Sequence, residues 1–162
     1  MPDVISNTTP LLYLHQLGCL DFLPQLYQQV FVPQAVVDEL RQGELKGFDV
    51  PSLNALAWVG VEAVAPLDLL RVTGGLDFGE RETIALALAK TDPLLVLDDA
   101  AARAYAQTLG IRLTGTLGVL VQAKQSGLIT AIRPCLDQLD KLGFYLGAHV
   151  RATILSRAGE SP

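Results

Sequence analysis

The sequence predicts an α/β fold, a three-layer sandwich in which helices cover both faces of a mainly parallel sheet of about five strands. Short apolar runs alternate along the chain with segments whose apolar residues recur at helical spacing, the pattern of consecutive strand–helix units. The run 94–97 is apolar throughout, as expected for a central strand buried on both faces. The chain has 162 residues, the size of one domain, and we predict a single domain over residues 1–162.

Local signals define the individual elements. The first strand, 4–6, is followed by a helix that Thr8 or Thr9 can cap. Asp77 and Glu80 have the spacing of a capping box, in which an acid at the cap is followed three residues later by Glu. The other predicted strands are 30–32, 58–64, 94–97 and 111–113, and the other predicted helices are 22–27, 36–42, 81–90, 100–109, 117–126, 134–142 and 148–158.

Charge is distributed unevenly along the chain. The net charge of −5 argues against a protein that coats nucleic acid non-specifically. Residues 1–99 carry a charge of −9 and residues 100–162 a charge of +4. This asymmetry fits either a solvated surface of no special role or an acidic cluster beside a basic surface, the arrangement that metal-dependent phosphodiester chemistry uses.

The remaining composition predicts a cytoplasmic protein. No apolar run is long enough to span a membrane, and the first residues lack the basic region of a signal peptide. Cys19 and Cys135 are far apart in sequence and match no metal-binding spacing, so we expect two reduced thiols.

Polar side chains follow the predicted strands. Parallel sheets bind ligands at the carboxyl ends of their strands, so residues from four segments are expected to meet at one edge. Oxygen-only ligands suit Mg²⁺ or Mn²⁺, which bind phosphates and lower the pKa of water. The candidate metal ligands are Asn7, Glu39, Glu80, Glu82, Asp98 and Asp99.

Two of these candidates open the same helix. Glu80 can instead serve only to close the capping box with Asp77. Glu82 lies two residues further on, roughly 200° around the helix, so the two side chains cannot point the same way. We therefore expect one of them to be a cap and the other a ligand.

The other acids also have structural alternatives. Asp98 can cap the helix that follows it, and Asp99 can pair with Arg103 four residues later. Glu39 beside Asp38 can be part of an exposed acidic pair.

Five segments in order carry a resemblance to a known family. They are SNTTPL at 6–11, VP followed by VDEL within 32–40, GERETIALA at 79–87, LDDAAAR at 97–103 and LTGTLGVL at 113–120. Together they resemble a PIN domain, the fold of the nuclease toxins in type II toxin–antitoxin pairs, over nearly the whole chain. The last segment is similar to a feature of one uncharacterised PIN subgroup.

The resemblance implies a Mg²⁺- or Mn²⁺-dependent endoribonuclease specific for single-stranded RNA, a homodimer inhibited by a small cognate antitoxin. It implies that Glu39, Glu82 and Asp99 are catalytic, that Glu80 or Glu82 completes the metal ligands, and that Asp98 lies close by. Thr9 would orient the first-strand ligand through its hydroxyl, and Arg103 and Arg112 would meet the RNA backbone.

Position 7 departs from the family pattern, because most relatives have Asp where this chain has Asn7. A carboxamide oxygen binds a hard cation without contributing charge, which favours a rival interpretation, a PIN fold that holds RNA or a partner protein without cutting. A phosphorylatable receiver is disfavoured because Asn7 follows the first strand and no Lys follows the fifth.

Overall fold

A computed structural model describes all residues, 1–162. Its sheet contains five parallel strands in the order β3-β2-β1-β4-β5, which confirms the predicted α/β architecture. The strands are β1 (Asp3–Ser6), β2 (Val30–Pro33), β3 (Val59–Glu62), β4 (Pro93–Val96) and β5 (Arg112–Thr114). The helices are α1 (Thr8–Gln16), α2 (Phe22–Tyr27), α3 (Gln34–Leu45), α4 (Pro66–Leu70), α5 (Phe78–Leu88), α6 (Ala100–Thr108), α7 (Thr116–Gln125), α8 (Arg133–Lys141) and α9 (Ala148–Arg157), with a 3₁₀ turn at Leu53–Ala55.

Alternation along the strands produces the three layers. Successive strand residues point to opposite faces, so Val4 and Val96 join the core formed with α1, α2, α3, α7, α8 and α9. Ile5, Leu95 and Leu97 join the core formed with α5 and α6 on the other face. The sheet is therefore buried on both sides, which explains why its central strands are apolar throughout.

Element boundaries differ from the predictions where tertiary pairing decides them. Strand β3 is shorter than the predicted 58–64, because it pairs only with the four residues of β2, from Val30 opposite Val59 to Pro33 opposite Glu62. Helix α4 and the 3₁₀ turn at Leu53–Ala55 were not predicted, since neither is long enough to show helical periodicity. The capping box of α5 is confirmed.

The start of α1 corrects one prediction. The helix begins at Thr8, so Asn7 occupies the cap position and neither Thr8 nor Thr9 caps it. The Asn7 side chain makes no capping hydrogen bond either. Asn7 is therefore free to serve another purpose at the end of β1.

Two further features bear on the expectations from composition. Cys19 and Cys135 are both free thiols, each partly buried. No helix has both the length and the apolar character needed to cross a membrane.

The strand order determines where a ligand can bind. From β1 the chain builds outward through β2 to β3, whereas β4 returns to the other side of β1 and β5 continues outward. The order therefore reverses between β1 and β4, whose carboxyl ends are adjacent, with Ser6 opposite Val96. Ligands of parallel sheets bind at such a reversal, at the carboxyl edge of the sheet, and we call the position between Asn7 and the Asp98–Asp99 pair the crevice.

Candidate active site

Asn7 follows β1 and forms one side of the crevice. Its residue is 7% exposed, and its side-chain Oδ1 lies 3.3 Å from the hydroxyl oxygen of Thr83 on α5. The Thr83 hydroxyl also lies 2.7 Å from the backbone carbonyl of Gly79, the better of its two acceptors. Asn7 Oδ1 is therefore only weakly engaged and retains the capacity to bind a ligand.

Glu39 reaches the crevice from α3. Its Oε2 accepts a 2.6 Å hydrogen bond from the hydroxyl of Thr8, the residue that follows Asn7. Its carboxylate lies against the backbone of Gly79, where an added Cβ would overlap Oε1 and approach Cδ to 2.9 Å. Burial raises the pKa of Glu39, Asp77 raises it further, and the Thr8 hydrogen bond partly opposes the shift. A glycine at position 79 thus makes room for this carboxylate.

Glu80 combines a structural contact with a position in the acidic cluster. The Glu80 N–H donates to the Asp77 side chain at 2.8 Å, and the Asp77 N–H donates to Glu80 Oε2 at 3.2 Å, which closes the capping box. Burial raises the pKa of Glu80, and the negative charges of Asp77, Asp99 and Glu39 raise it further. Glu80 is therefore within electrostatic range of carboxylates from α3 and from the end of β4.

The two aspartates after β4 point to different partners. Asp99 caps α6, since its Oδ2 accepts the Ala102 N–H at 2.9 Å, so the cap expected at Asp98 is in fact Asp99. The expected pair between Asp99 and Arg103 is absent, because Nη1 of Arg103 donates to the carbonyls of Leu97 and Thr114 at 2.7 and 3.0 Å. Asp99 remains exposed beside the crevice.

Asp98 is tied to the start of α7. Its oxygens accept the N–H of Thr116 at 2.8 Å and the Thr116 hydroxyl at 2.6 Å. A Cβ at Gly115 would lie 2.6 Å from Asp98 Oδ1, and one at Gly118 would overlap the Thr114 hydroxyl. The segment LTGTLG is therefore explained by packing, because its glycines admit the side chains that hold β4, β5 and α7 together.

The pKa of Asp98 is consistent with this structural role. Burial raises it, while the Thr116 hydrogen bonds and the charge of Arg103 partly lower it. Asp98 is thus engaged by the start of α7, with both of its oxygens bound to Thr116.

Glu82 faces α3 rather than the other acids. Its Oε2 accepts the Ala35 N–H at 3.0 Å in the first turn of α3, where the cap residue Pro33 offers no side-chain acceptor. Both Glu80 and Glu82 therefore contact helix N-termini. The expected cap is found at Glu80, and which of the two is a ligand stays a prediction.

Other predicted supporting residues also lie elsewhere. Thr9 makes no side-chain hydrogen bond, and the hydroxyl that contacts a crevice carboxylate belongs to Thr8. Arg112 begins β5, at the opposite edge of the sheet, and its guanidinium pairs with Asp92 at 2.7 Å. Sequence reasoning missed the contact of Thr83, although its four-residue spacing from Gly79 places both on one face of α5.

The donor chemistry of the crevice suits a hard divalent cation. Asn7, Glu39, Glu80 and Asp99 supply oxygens only, without nitrogen or sulfur, as Mg²⁺ and Mn²⁺ prefer. The carboxylates interact electrostatically, but no three of the His, Cys, Asp and Glu side chains are close enough together to hold a metal ion. The residues present fit a divalent cation by chemistry, and a cation would have to draw the carboxylates closer.

Comparison with known protein families matches residues 3–160 to DUF3368, a PIN domain family. The chain belongs to this PIN-domain family. The PIN domain is a nuclease-type fold whose members are generally metal-dependent nucleases. A comparison with curated proteins finds no significant match. In this PIN domain, the acids of α3, α5 and the β4 end therefore lie at the sheet edge of a nuclease-type fold.

Proposed function

We propose that the protein is a divalent-metal-dependent endoribonuclease that cuts single-stranded RNA. The observation that carries the proposal is the placement of Asn7, Glu39, Glu80 and Asp99 on elements that meet at the carboxyl edge of a PIN-domain sheet. After burial, the negative charges of Asp77, Asp99 and Glu39 raise the pKa of Glu80, and a divalent cation would relieve that repulsion.

Each residue has a definite part in this proposal. Glu39, Glu80 and Asp99 would hold the cation, with Asn7 as a neutral oxygen donor. A bound cation supplies Lewis acidity and stabilises charge that develops on the phosphate. Thr8 fixes the orientation of the Glu39 carboxylate through its hydrogen bond.

The cap contacts add to this arrangement. The N–H of Ala102 holds the Asp99 carboxylate at the start of α6, and the N–H of Asp77 holds the Glu80 carboxylate at the start of α5. Two of the three carboxylates are thus preorganised by the backbone rather than by side-chain rotamers alone, which reduces the entropy lost when a cation binds.

RNA cleavage with Mn²⁺, with and without EDTA, tests the proposal. We expect Glu39→Gln and Asp99→Asn each to lower the cleavage rate by about tenfold or more, since each removes a charge from the cation site. Asp38→Asn is the matched control, because Asp38 is the neighbouring acid on α3 and its carboxylate accepts only from the Gln34 side chain. Wild-type activity in both purified site variants would refute the assignment.

A second candidate is a PIN fold that binds RNA or a protein without cutting it. Asn7 favours this alternative, because it removes one charge from the site. Divalent-ion affinity separates the two functions. A cation that raises the melting temperature of wild type but not of Glu39→Gln supports the nuclease, whereas no cation effect on either protein supports the binding module.

We further propose the biological setting implied by the family resemblance, a cytoplasmic toxin of a type II pair that forms a homodimer and is inhibited by a small antitoxin. Leu67 and Leu70 on α4 support a partner surface, because their side chains are 77% and 71% exposed. Light scattering tests the dimer. Co-purification with the product of the adjacent reading frame, and loss of cleavage in that complex, tests the antitoxin.

A further inference from the structure

A cavity opens beside Asp99. It has a volume of about 470 Å³ and lies between the start of α6, the β5–α7 turn and α9. Asp98 and Ala100, the residues on either side of Asp99, both line it. A cavity of this size is large enough for one nucleotide, and it adjoins the end of β4 at the candidate cation site.

The charge of this cavity is suited to a polyanion. Arg103 and Arg157 line it, and neither forms an ion pair with a carboxylate. Nη1 of Arg103 is held by two backbone carbonyls, which leaves Nε and Nη2 without a partner in the chain. The one acid of the lining is Asp98, whose oxygens accept from Thr116.

The cavity on the opposite side of the crevice has the reverse charge. It has a volume of about 490 Å³ and is lined by Asp38 and Glu39 with a single cation, Lys46. A phosphate backbone is repelled there and attracted on the side of α9. Residues 100–162, which include α9, carry a charge of +4, in agreement with the attraction of phosphate to this side.

An aromatic ring stands at the rim of the basic cavity. Tyr145, in the α8–α9 loop, is 92% exposed, and the wall below it is formed by Leu113, Leu117 and Val150. Exposed aromatic rings beside basic side chains bind single-stranded nucleic acid by stacking on bases, while the cations contact phosphates.

We propose that this cavity is a nucleotide subsite for the single-stranded RNA substrate, in which Arg157 and Arg103 contact a phosphate and Tyr145 stacks on a base. The proposal rests on the ribonuclease function proposed above. The RNA strand then leaves the cation site past Asp99 and toward α9, and the subsite fixes which nucleotide lies at the carboxylates.

Fluorescence anisotropy of labelled oligouridylate in EDTA tests the subsite without cleavage. We expect Arg157→Gln to raise the dissociation constant by about tenfold. The slope of the logarithm of affinity against the logarithm of salt concentration should fall by the amount that corresponds to about one phosphate contact. Lys141→Gln, at the end of α8, removes an equal charge from an exposed site outside the cavity and should change little. Equal effects of the two substitutions would mean that only net charge matters, and would overturn the proposal.

Tyr145→Ala tests the stacking contact. We expect about tenfold weaker binding of oligouridylate and no change for an abasic oligomer of equal length, because the abasic chain has no base to stack. Phe78→Ala, which removes an exposed ring from the opposite cavity, is the matched control and should bind as wild type. Equal losses on the abasic oligomer, or a loss only in Phe78→Ala, would refute the subsite.

The two proposals fail in different ways. RNA that binds as described but is not cut with Mn²⁺ would refute the nuclease and leave the subsite standing. RNA that is cut while Arg157→Gln and Tyr145→Ala bind like wild type would refute the subsite alone. Absence of any RNA binding by the wild-type protein would refute both.

Discussion

Gly79→Ala should weaken cation binding while leaving the stability of the fold nearly unchanged. The Cβ that this substitution adds overlaps the Glu39 carboxylate and nothing rigid, so the flexible Glu39 side chain is the group that moves. Gly79 lies in the first turn of α5 with an ordinary helical backbone, which alanine adopts readily. The displaced carboxylate loses its hydrogen bond from Thr8.

The expected stability change is small because two effects oppose each other. Alanine stabilises a helix over glycine by about 0.5–1 kcal/mol. Loss of the Thr8–Glu39 hydrogen bond, at an exposed position, costs about 1 kcal/mol. The free energy of unfolding should therefore stay within about 1 kcal/mol of wild type. The function should change more, because Glu39 leaves the cation site, and we expect about a tenfold higher Mn²⁺ concentration for half-maximal cleavage, which is about 1.4 kcal/mol.

Urea denaturation and a Mn²⁺ titration of cleavage measure the two quantities on the same samples. Gly43→Ala is the matched control, a glycine to alanine change within α3 whose Cβ would meet only Val50, at 3.2 Å. Thr8→Val removes the Thr8–Glu39 hydrogen bond in advance. In a protein that carries Thr8→Val, the effect of Gly79→Ala on the free energy of unfolding should therefore be more stabilising by the energy of that hydrogen bond. Unchanged Mn²⁺ dependence in Gly79→Ala would refute the role given to Glu39.

Three other predictions concern the same acids. Asn7→Asp should tighten Mn²⁺ binding by about tenfold and lower the melting temperature of the metal-free protein, because the added charge has only like charges nearby; a titration of melting temperature against Mn²⁺ measures both. Glu82→Ala should cost about 0.5–2 kcal/mol of stability and leave Mn²⁺ affinity nearly unchanged, whereas Glu80→Ala should lower both, and equal behaviour in the two assays would contradict the structure. Burial raises the pKa of Glu39 and Glu80, so the folded chain holds their protons more tightly than the unfolded chain. The stability of the metal-free protein should therefore rise as pH falls from neutral through the raised pKa values, and it should level off below the pKa values of the unfolded chain. Glu39→Gln should flatten the profile of melting temperature against pH.

The fold could be predicted from the sequence because its signals are local. Apolar strands such as 94–97 and the capping box of Asp77 and Glu80 each depend on a few neighbouring residues. The length of β3 could not be predicted in this way, because it is set by the four residues of β2 with which it pairs. Helix α4 is too short for periodicity to identify it.

The candidate site was predicted less completely than the fold, because the direction of a side chain depends on distant partners. The sequence places Asp98 and Asp99 side by side at one strand end. Which of them caps α6 depends on Thr116, which lies after the next strand and binds Asp98. The contact of Thr8 with Glu39 likewise joins residues that are 31 positions apart.

The carboxylates of the crevice are tolerated without a cation because helix N-termini partly neutralise them. Asp99 accepts the N–H of Ala102 in the first turn of α6, and Glu80 accepts the N–H of Asp77, the cap residue of α5. The positive end of a helix stabilises a nearby carboxylate, which offsets part of the like-charge repulsion. Glu39 is the exception, because its one partner is the Thr8 hydroxyl. Substitutions of Glu39 therefore report the proposed chemistry with the least interference from stability.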